Sequence, residues 1–308
     1  MMSYAFVFPG QGSQSLGMMA DMAANYPIVK TTFDEASAAL GYDLWDVVQN
    51  GPEEKLNQTD ITQPAMLTSG IATWRALAEQ KELSPAFLAG HSLGEYSALV
   101  AAGVMTLAQG VRLVAERGRL MQSAVPAGEG AMAAVLGLED QQIMDICAQQ
   151  DGVVEAVNFN SPGQVVIAGE KKAVDAALPA FEAAGAKRVV LLSVSVPSHC
   201  SLMKPAAEAL AKELEGMTLN APNIPVLHNA SVESYQDEAS IKRALIEQLY
   251  RPVQWVKTIE QMKESGVDSL YELGPGKVLM GLNRRIDRKM GMQAVYDSAT
   301  LTASLETL

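Results

Sequence analysis

Cysteine is almost absent from this chain of 308 residues: only Cys147 and Cys200 occur. They lack metal-ligand spacing and cannot build a disulfide framework, so they are expected to be buried small side chains in a reducing compartment. Basic charge is also scarce, with 23 Lys and Arg against 35 Asp and Glu and a net charge of −12. That balance excludes a general nucleic-acid-binding surface, and any anionic partner has to meet a local basic patch. No apolar run approaches the roughly 18 residues of a membrane-spanning helix. Met1-Met2-Ser3-Tyr4 puts no basic stretch ahead of an apolar one, so no membrane partner and a cytoplasmic protein are expected. Repeats and low-complexity linkers are missing. The glycine loop Gly10-x-Gly12 has Ser15 where a dinucleotide fingerprint needs its third glycine, which makes it a poor match to that pattern. Hydrophobic residues make up 48% and charged residues 19%, a globular composition, and the length fits one large α/β domain with an insertion or two modest domains.

Against this background stands Gly90-His91-Ser92-Leu93-Gly94. The apolar run Ala86-Phe87-Leu88-Ala89 precedes it, and a helix-like run from Glu95 to Ala102 follows. A serine on a tight strand-to-helix turn projects its hydroxyl above the sheet, and small flanking residues let the chains approach. The helix start also aims N–H groups and a positive dipole end at negative charge developing beside the serine. Ser92 is therefore the candidate nucleophile for acyl transfer.

Strand and helix signals alternate along the chain. Ala5 to Phe8 reads as a buried strand ending at Pro9-Gly10-Gln11-Gly12. From about residue 131 the order is strand Ala131 to Leu136, helix Glu139 to Gln149, strand Val153 to Val157, and the turn Asn160-Ser161-Pro162-Gly163. Strand Val165 to Ala168, helix Lys171 to Ala184 and strand Val189 to Leu192 follow. This βαββαβ order predicts a small ferredoxin-like domain over 125–195, inserted into a large α/β domain made of 1–124 and 196–308. Clefts between two such domains are preferred ligand sites.

A serine nucleophile needs a base, and His91, His199 and His228 are the only histidines. His91 adjoins Ser92 and must leave the turn in another direction, so it reads as a supporting residue. His228 ends an apolar strand-like run, where a hydrogen-bonded core or edge histidine is expected. His199 follows a strand and the break Pro197-Ser198, a position where α/β sheets place sites, and is the candidate general base. No acidic partner for it declares itself; a backbone carbonyl is the other means of orienting an imidazole. Arg117 lies on a helix opened by the capping-box pattern Thr106-Leu107-Ala108-Gln109. Its neighbours three and four residues away are Leu113, Val114, Leu120 and Met121, so it points into the apolar side. A buried guanidinium requires a partner, which is either a carboxylate within the protein or one carried by a ligand, unless the side chain snorkels to solvent. The loop after the first strand can offer a backbone N–H or the Gln11 amide to an oxyanion.

Phe8-Pro9-Gly10-Gln11-Gly12, Gln63-Pro64-Ala65, the Gly90 to Gly94 elbow, Arg117, Asn160-Ser161-Pro162-Gly163-Gln164, Val196-Pro197-Ser198-His199 and Gly274-Pro275-Gly276 occur in this order. In these segments the chain closely resembles the malonyl-CoA:acyl carrier protein transacylases over nearly its whole length. The resemblance implies a hydrolase-like α/β domain with an inserted ferredoxin-like domain. It also implies a Ser92–His199 dyad, a Gln248 carbonyl orienting the imidazole, the N–H groups of Gln11 and Leu93 as an oxyanion hole, Gln63 lining the site, and Arg117 as a clamp for the malonate carboxylate. Malonyl-CoA and acyl carrier protein become the expected partners, with malonyl transfer serving fatty acid biosynthesis and no cofactor or metal. Lys187-Arg188 and Arg284-Arg285, with Arg288-Lys289, are then candidate docking patches for an acidic carrier. A thioesterase would use the same serine chemistry with water as the acceptor, and a carrier-binding scaffold would use none of it.

Overall fold

The computed structural model describes residues 3–194 and 196–308. Nine strands occur among them: β1 (Tyr4–Phe8), β2 (Phe87–Gly90), β3 (Gly130–Leu136), β4 (Val154–Ser161), β5 (Gln164–Glu170), β6 (Arg188–Leu191), β7 (Val226–Leu227), β8 (Ser269–Leu273) and β9 (Gly291–Val295). They divide into two sheets of opposite character.

The larger sheet has the order β7-β2-β1-β8-β9, and all its pairings are parallel. Helices cover both faces, which is why its strands read as continuous apolar runs. Side chains alternate along β1: Phe6 and Phe8 enter the core built with helices Thr59–Gln80 and Leu107–Ala124, whereas Ala5 and Val7 enter a second core with Trp255, Ile259 and Leu279. The register pairs Phe8 with Gly90 and Ala89 with Leu227. Three segments thus leave the sheet at one end: the Pro9–Gly12 loop, the Gly90–Gly94 elbow, and His228-Asn229.

The smaller sheet has the order β4-β5-β3-β6 and is antiparallel. Its chain order is the expected βαββαβ, with helices Asp140–Ala148 and Lys171–Ala183 between the strands. Alternation again divides the faces. Ala133, Val135, Val165 and Ile167 pack on Val174, Ala177 and Phe181, while Met132, Val166 and Ala168 turn to the opposite face beside Cys200. That second face looks toward the elbow. The expected turn at Asn160–Gly163 starts later than the sequence suggested: β4 continues through Ser161, because Ser161 still pairs with Gln164 of β5. Cys147 and Cys200 are both free and buried, and burial pushes their thiols up to about 12.

Candidate active site

Ser92 sits between β2 and the helix Gly94–Ala101 with φ 51°, a left-handed conformation uncommon for a residue with a side chain. The two glycines that frame it are required by space. A Cβ at Gly90 would lie 1.9 Å from the Gly94 carbonyl carbon, and one at Gly94 would lie 2.1 Å from the Phe8 carbonyl oxygen. The elbow is held from below by Asn229, whose Oδ1 accepts the Ser92 N–H at 2.7 Å and whose Nδ2 donates to the Gly90 carbonyl at 2.7 Å.

Ser92 Oγ lies 2.7 Å from His199 Nε2, and His199 Nδ1 lies 2.7 Å from the Gln248 carbonyl oxygen. A carbonyl only accepts, so Nδ1 carries the proton and Nε2 is left to accept from the serine hydroxyl. His199 is 2% exposed. Burial, reinforced by the Arg117 and His91 charges and opposed by the Gln248 carbonyl, holds the imidazole down to about 3. The route by which His199 arrives differs from the expectation. The preceding strand, β6, is the edge of the small antiparallel sheet and not a strand of the parallel one. The His199 N–H instead donates to the Leu249 carbonyl at 2.9 Å, so the helix Glu238–Gln248 and the residue after it fix both the backbone and the ring.

Arg117 is fully buried, at 0% exposure, so it does not snorkel. No carboxylate pairs with it among the described residues, which excludes the internal ion pair as well. Nη1 donates to Gln63 Oε1 at 2.7 Å, Nη2 to Gln248 Oε1 at 3.0 Å, and Nη2 also lies 3.4 Å from Ser92 Oγ. The guanidinium stands 5.2 Å over the Tyr96 ring, and its Nε has no partner among the described residues. Burial lowers its pKa, with Tyr96 and Glu95 acting against that. The result is a cation beside the candidate nucleophile that is hydrogen-bonded to neutral carbonyls and not neutralised by a direct contact.

The N–H groups of Gln11 and Leu93 donate to no other described residue. Gln11 Oε1 accepts from Thr59 Oγ1 at 3.0 Å, and Thr59 Oγ1 accepts from Gln63 Nε2 at 3.0 Å, tying the loop after β1 to the Arg117 surroundings. His91 turns away from Ser92 to Asn160 Oδ1 at 2.7 Å, as expected of a supporting residue. His228 is the anticipated buried, hydrogen-bonded histidine, its Nδ1 2.7 Å from Glu95 Oε1.

Three supporting residues escaped the sequence reading: Glu95, Asn229 and Asn160. Asn229 follows the carboxyl end of β7, a position that could have signalled it. In the sequence Glu95 stands only as the first residue of the helix-like run after the elbow.

A cavity of about 670 Å³ opens over Ser92 and His199. Gln11, Val278 and Leu282 line it from one side, and Met132, Asn160 and Leu192 from the small-sheet side. The basic candidates lie outside it. Leu136 pairs with both Gln164 and Arg188, and Arg285 donates to Gln164, so Arg188 and Arg285 lie toward the same end of the small sheet, two strands apart. Lys187, Arg188, Arg284 and Arg285 are all exposed. No group of three or more His, Cys, Asp or Glu suited to a metal occurs among the described residues, and no described helix is long and apolar enough to cross a membrane.

Residues 5–296 match the family described as acyl transferase domain. The malonyl CoA-acyl carrier protein transacylase of Salmonella typhimurium is 57% identical over 99% of this chain and 99% of its own. Among solved structures, an acyl carrier protein S-malonyltransferase from Vibrio cholerae is 57% identical with a TM-score of 0.96, covering 98% of this chain and 99% of that one. A malonyl-transacylase solved in complex with its type II PKS acyl-carrier protein is 54% identical with a TM-score of 0.98, covering 99% of this chain and 100% of that one. Sequence, fold and site geometry agree: the chain belongs to the acyl transferase domain family and, within it, to the malonyl CoA-acyl carrier protein transacylases.

Proposed function

We infer that the chain transfers the malonyl group of malonyl-CoA to the phosphopantetheine thiol of acyl carrier protein through a malonyl-serine ester, supplying extender units for fatty acid biosynthesis. The observation that carries this reading is the placement of Arg117. A fully buried guanidinium with no carboxylate partner has Nη2 3.4 Å from Ser92 Oγ. That spacing suits an acyl group whose free carboxylate is one methylene away from the carbonyl under attack.

The steps follow from the geometry. Ser92 Oγ attacks the thioester carbonyl while its proton passes to His199 Nε2, which lies 2.7 Å away. The N–H groups of Leu93 and Gln11 hold the oxyanion. The C–S bond breaks, His199 returns the proton to the departing sulfur, and CoA leaves as the thiol. The carrier thiol then repeats the sequence in reverse: His199 takes its proton, sulfur attacks the ester, and Ser92 recovers its hydrogen. Every proton is accounted for by one imidazole, so the cycle as proposed calls for no cofactor or metal, and malonyl-CoA is a substrate.

Residues 125–195 are taken as the inserted unit and 1–124 with 196–308 as the nucleophile-bearing unit, on the support of the two sheets and their separate cores. Carrier docking is assigned to Lys187, Arg188, Arg284 and Arg285, on the support that all four are exposed and that Arg188 and Arg285 lie toward the same end of the small sheet. A cytoplasmic site of action is supported by two buried, free cysteines. The test is the intact mass of the protein after mixing with malonyl-CoA or acetyl-CoA, before and after adding carrier. A malonyl adduct on Ser92 that moves to the carrier is expected; an adduct lost only to water would make the protein a thioesterase.

A further inference from the structure

Glu95 is a fully buried carboxylate that the steps above do not use. Its Oε1 meets His228 Nδ1 at 2.7 Å, and its Oε2 accepts from the Asn229 N–H at 2.9 Å and from Gln248 Nε2 at 2.8 Å. The same Gln248 amide turns Oε1 to Arg117 Nη2 at 3.0 Å. A carboxylate only accepts and a guanidinium only donates, so the amide has one permitted orientation between them. Two buried charges of opposite sign are thus separated by a single side-chain amide. Neither has an oppositely charged Lys, Arg, Asp or Glu in direct contact among the described residues.

We propose that Glu95 is a positioning residue for malonyl selection, the internal counter-charge to Arg117 acting across the Gln248 amide. The physical case starts from cost. A guanidinium buried without any counter-charge is expensive, and an incoming carboxylate would bind it very tightly. Glu95 supplies part of that compensation in advance. Two negative charges then share one cation when a malonyl group is present, and each weakens the other's hold. The malonyl-serine ester is therefore recognised without being trapped, which a two-step transfer requires because the acyl group must leave again. This inference rests on the malonyl-serine reading given above.

Glu95→Gln isolates the charge. The glutamine carbonyl can still accept from Asn229 and Gln248, and its amide can donate to His228 in the other tautomer. The experiment measures the KM for malonyl-CoA and the single-turnover rate at which preformed malonyl-enzyme discharges to carrier, with acetyl-CoA run in parallel. KM for malonyl-CoA is expected to fall roughly ten- to thirtyfold and discharge to slow by a similar factor, the order for removing one charge about 8–12 Å from the substrate carboxylate at an effective dielectric near 20. Acetyl groups bring no carboxylate, so their two constants should shift much less. If malonyl and acetyl transfer decline together, or neither changes, Glu95 is a structural carboxylate and the proposal fails. Should Glu95→Gln not fold by circular dichroism, Glu95→Gln combined with His228→Asn removes the charge while the Asn Oδ1 can accept from the new amide in place of the imidazole nitrogen. It is expected to show the same split, and equal effects on both acyl groups would again overturn the proposal. Wild-type protein that forms no malonyl-serine would defeat the underlying reading instead, so the two failures are distinguishable.

Discussion

His199 Nδ1 and the main-chain carbonyl oxygen of Gln248 are 2.7 Å apart, so the imidazole is oriented by backbone and not by a carboxylate. A dipole orients the ring as a carboxylate would, but it stabilises an imidazolium less. Together with burial this leaves the histidine neutral over a wide pH range, its pKa held down to about 3.

The acid limb of kcat/KM for malonyl-CoA should accordingly lie well below the ordinary imidazole range near 6.5. The sign for stability follows from the same shift. The folded-state pKa is below the unfolded one, so the contribution of neutral His199 is complete above about pH 6.5 and is lost as pH falls toward 3. A stopped-flow pH profile of acylation checks the first statement. An acid limb centred between pH 6 and 7 would contradict it.

Arg117→Ala should lower kcat/KM for malonyl-CoA by about 100-fold or more and relax the bias against acetyl-CoA, because a site built around a buried cation rejects an acyl group that leaves it unpaired. Parallel assays with the two thioesters read the ratio. A ratio equal to wild type would remove Arg117 from selection.

Ser92→Ala should form no acyl-enzyme with either thioester, since the hydroxyl oxygen 2.7 Å from His199 Nε2 is gone. Mass spectrometry after mixing with malonyl-CoA is the readout. An ester on another residue of this variant would reassign the nucleophile.

Asn229→Ala leaves the Ser92 N–H and the buried Gly90 carbonyl without the partners they have at 2.7 Å. Each lost partner costs about 1–3 kcal/mol, so urea unfolding should show a loss of roughly 2–6 kcal/mol. Activity should fall more than stability alone explains, because the elbow backbone carries the nucleophile. Wild-type stability would show that the elbow holds its φ of 51° without this support.

Charge reversal at Lys187 and Arg188, or at Arg284 and Arg285, should raise the KM for carrier several-fold and leave that for malonyl-CoA nearly constant. The salt dependence of the carrier KM should flatten at the same time. Equal effects on both substrates would place these residues outside docking.

Much of this protein is legible in local chemistry. The elbow announces itself because two positions tolerate no Cβ and the residue between them takes a positive φ, and such constraints act over five residues. The βαββαβ order is legible because strands and helices carry different apolar periods, which is why β3, β5 and both intervening helices fall close to where the sequence puts them. The direction of Arg117 follows from helix geometry alone, since its neighbours on that face are apolar.

Charge pairing and partnership were decided elsewhere. The sequence leaves open whether Arg117 meets an internal carboxylate, and only the packing of the helices Thr59–Gln80 and Glu238–Gln248 around it supplies two neutral amides instead. The sequence places Glu95 only at the start of the helix after the elbow, and the assembled sheet buries it against His228, Asn229 and Gln248. The turn, the strands and the apolar faces are already set in the order of residues, because each is a matter of sterics and period among near neighbours. Which buried polar atoms face one another was settled by tertiary packing, because the hydrogen bonds that tie Glu95, Arg117 and His199 to Gln248 join residues 153, 131 and 49 positions apart and carry no local period.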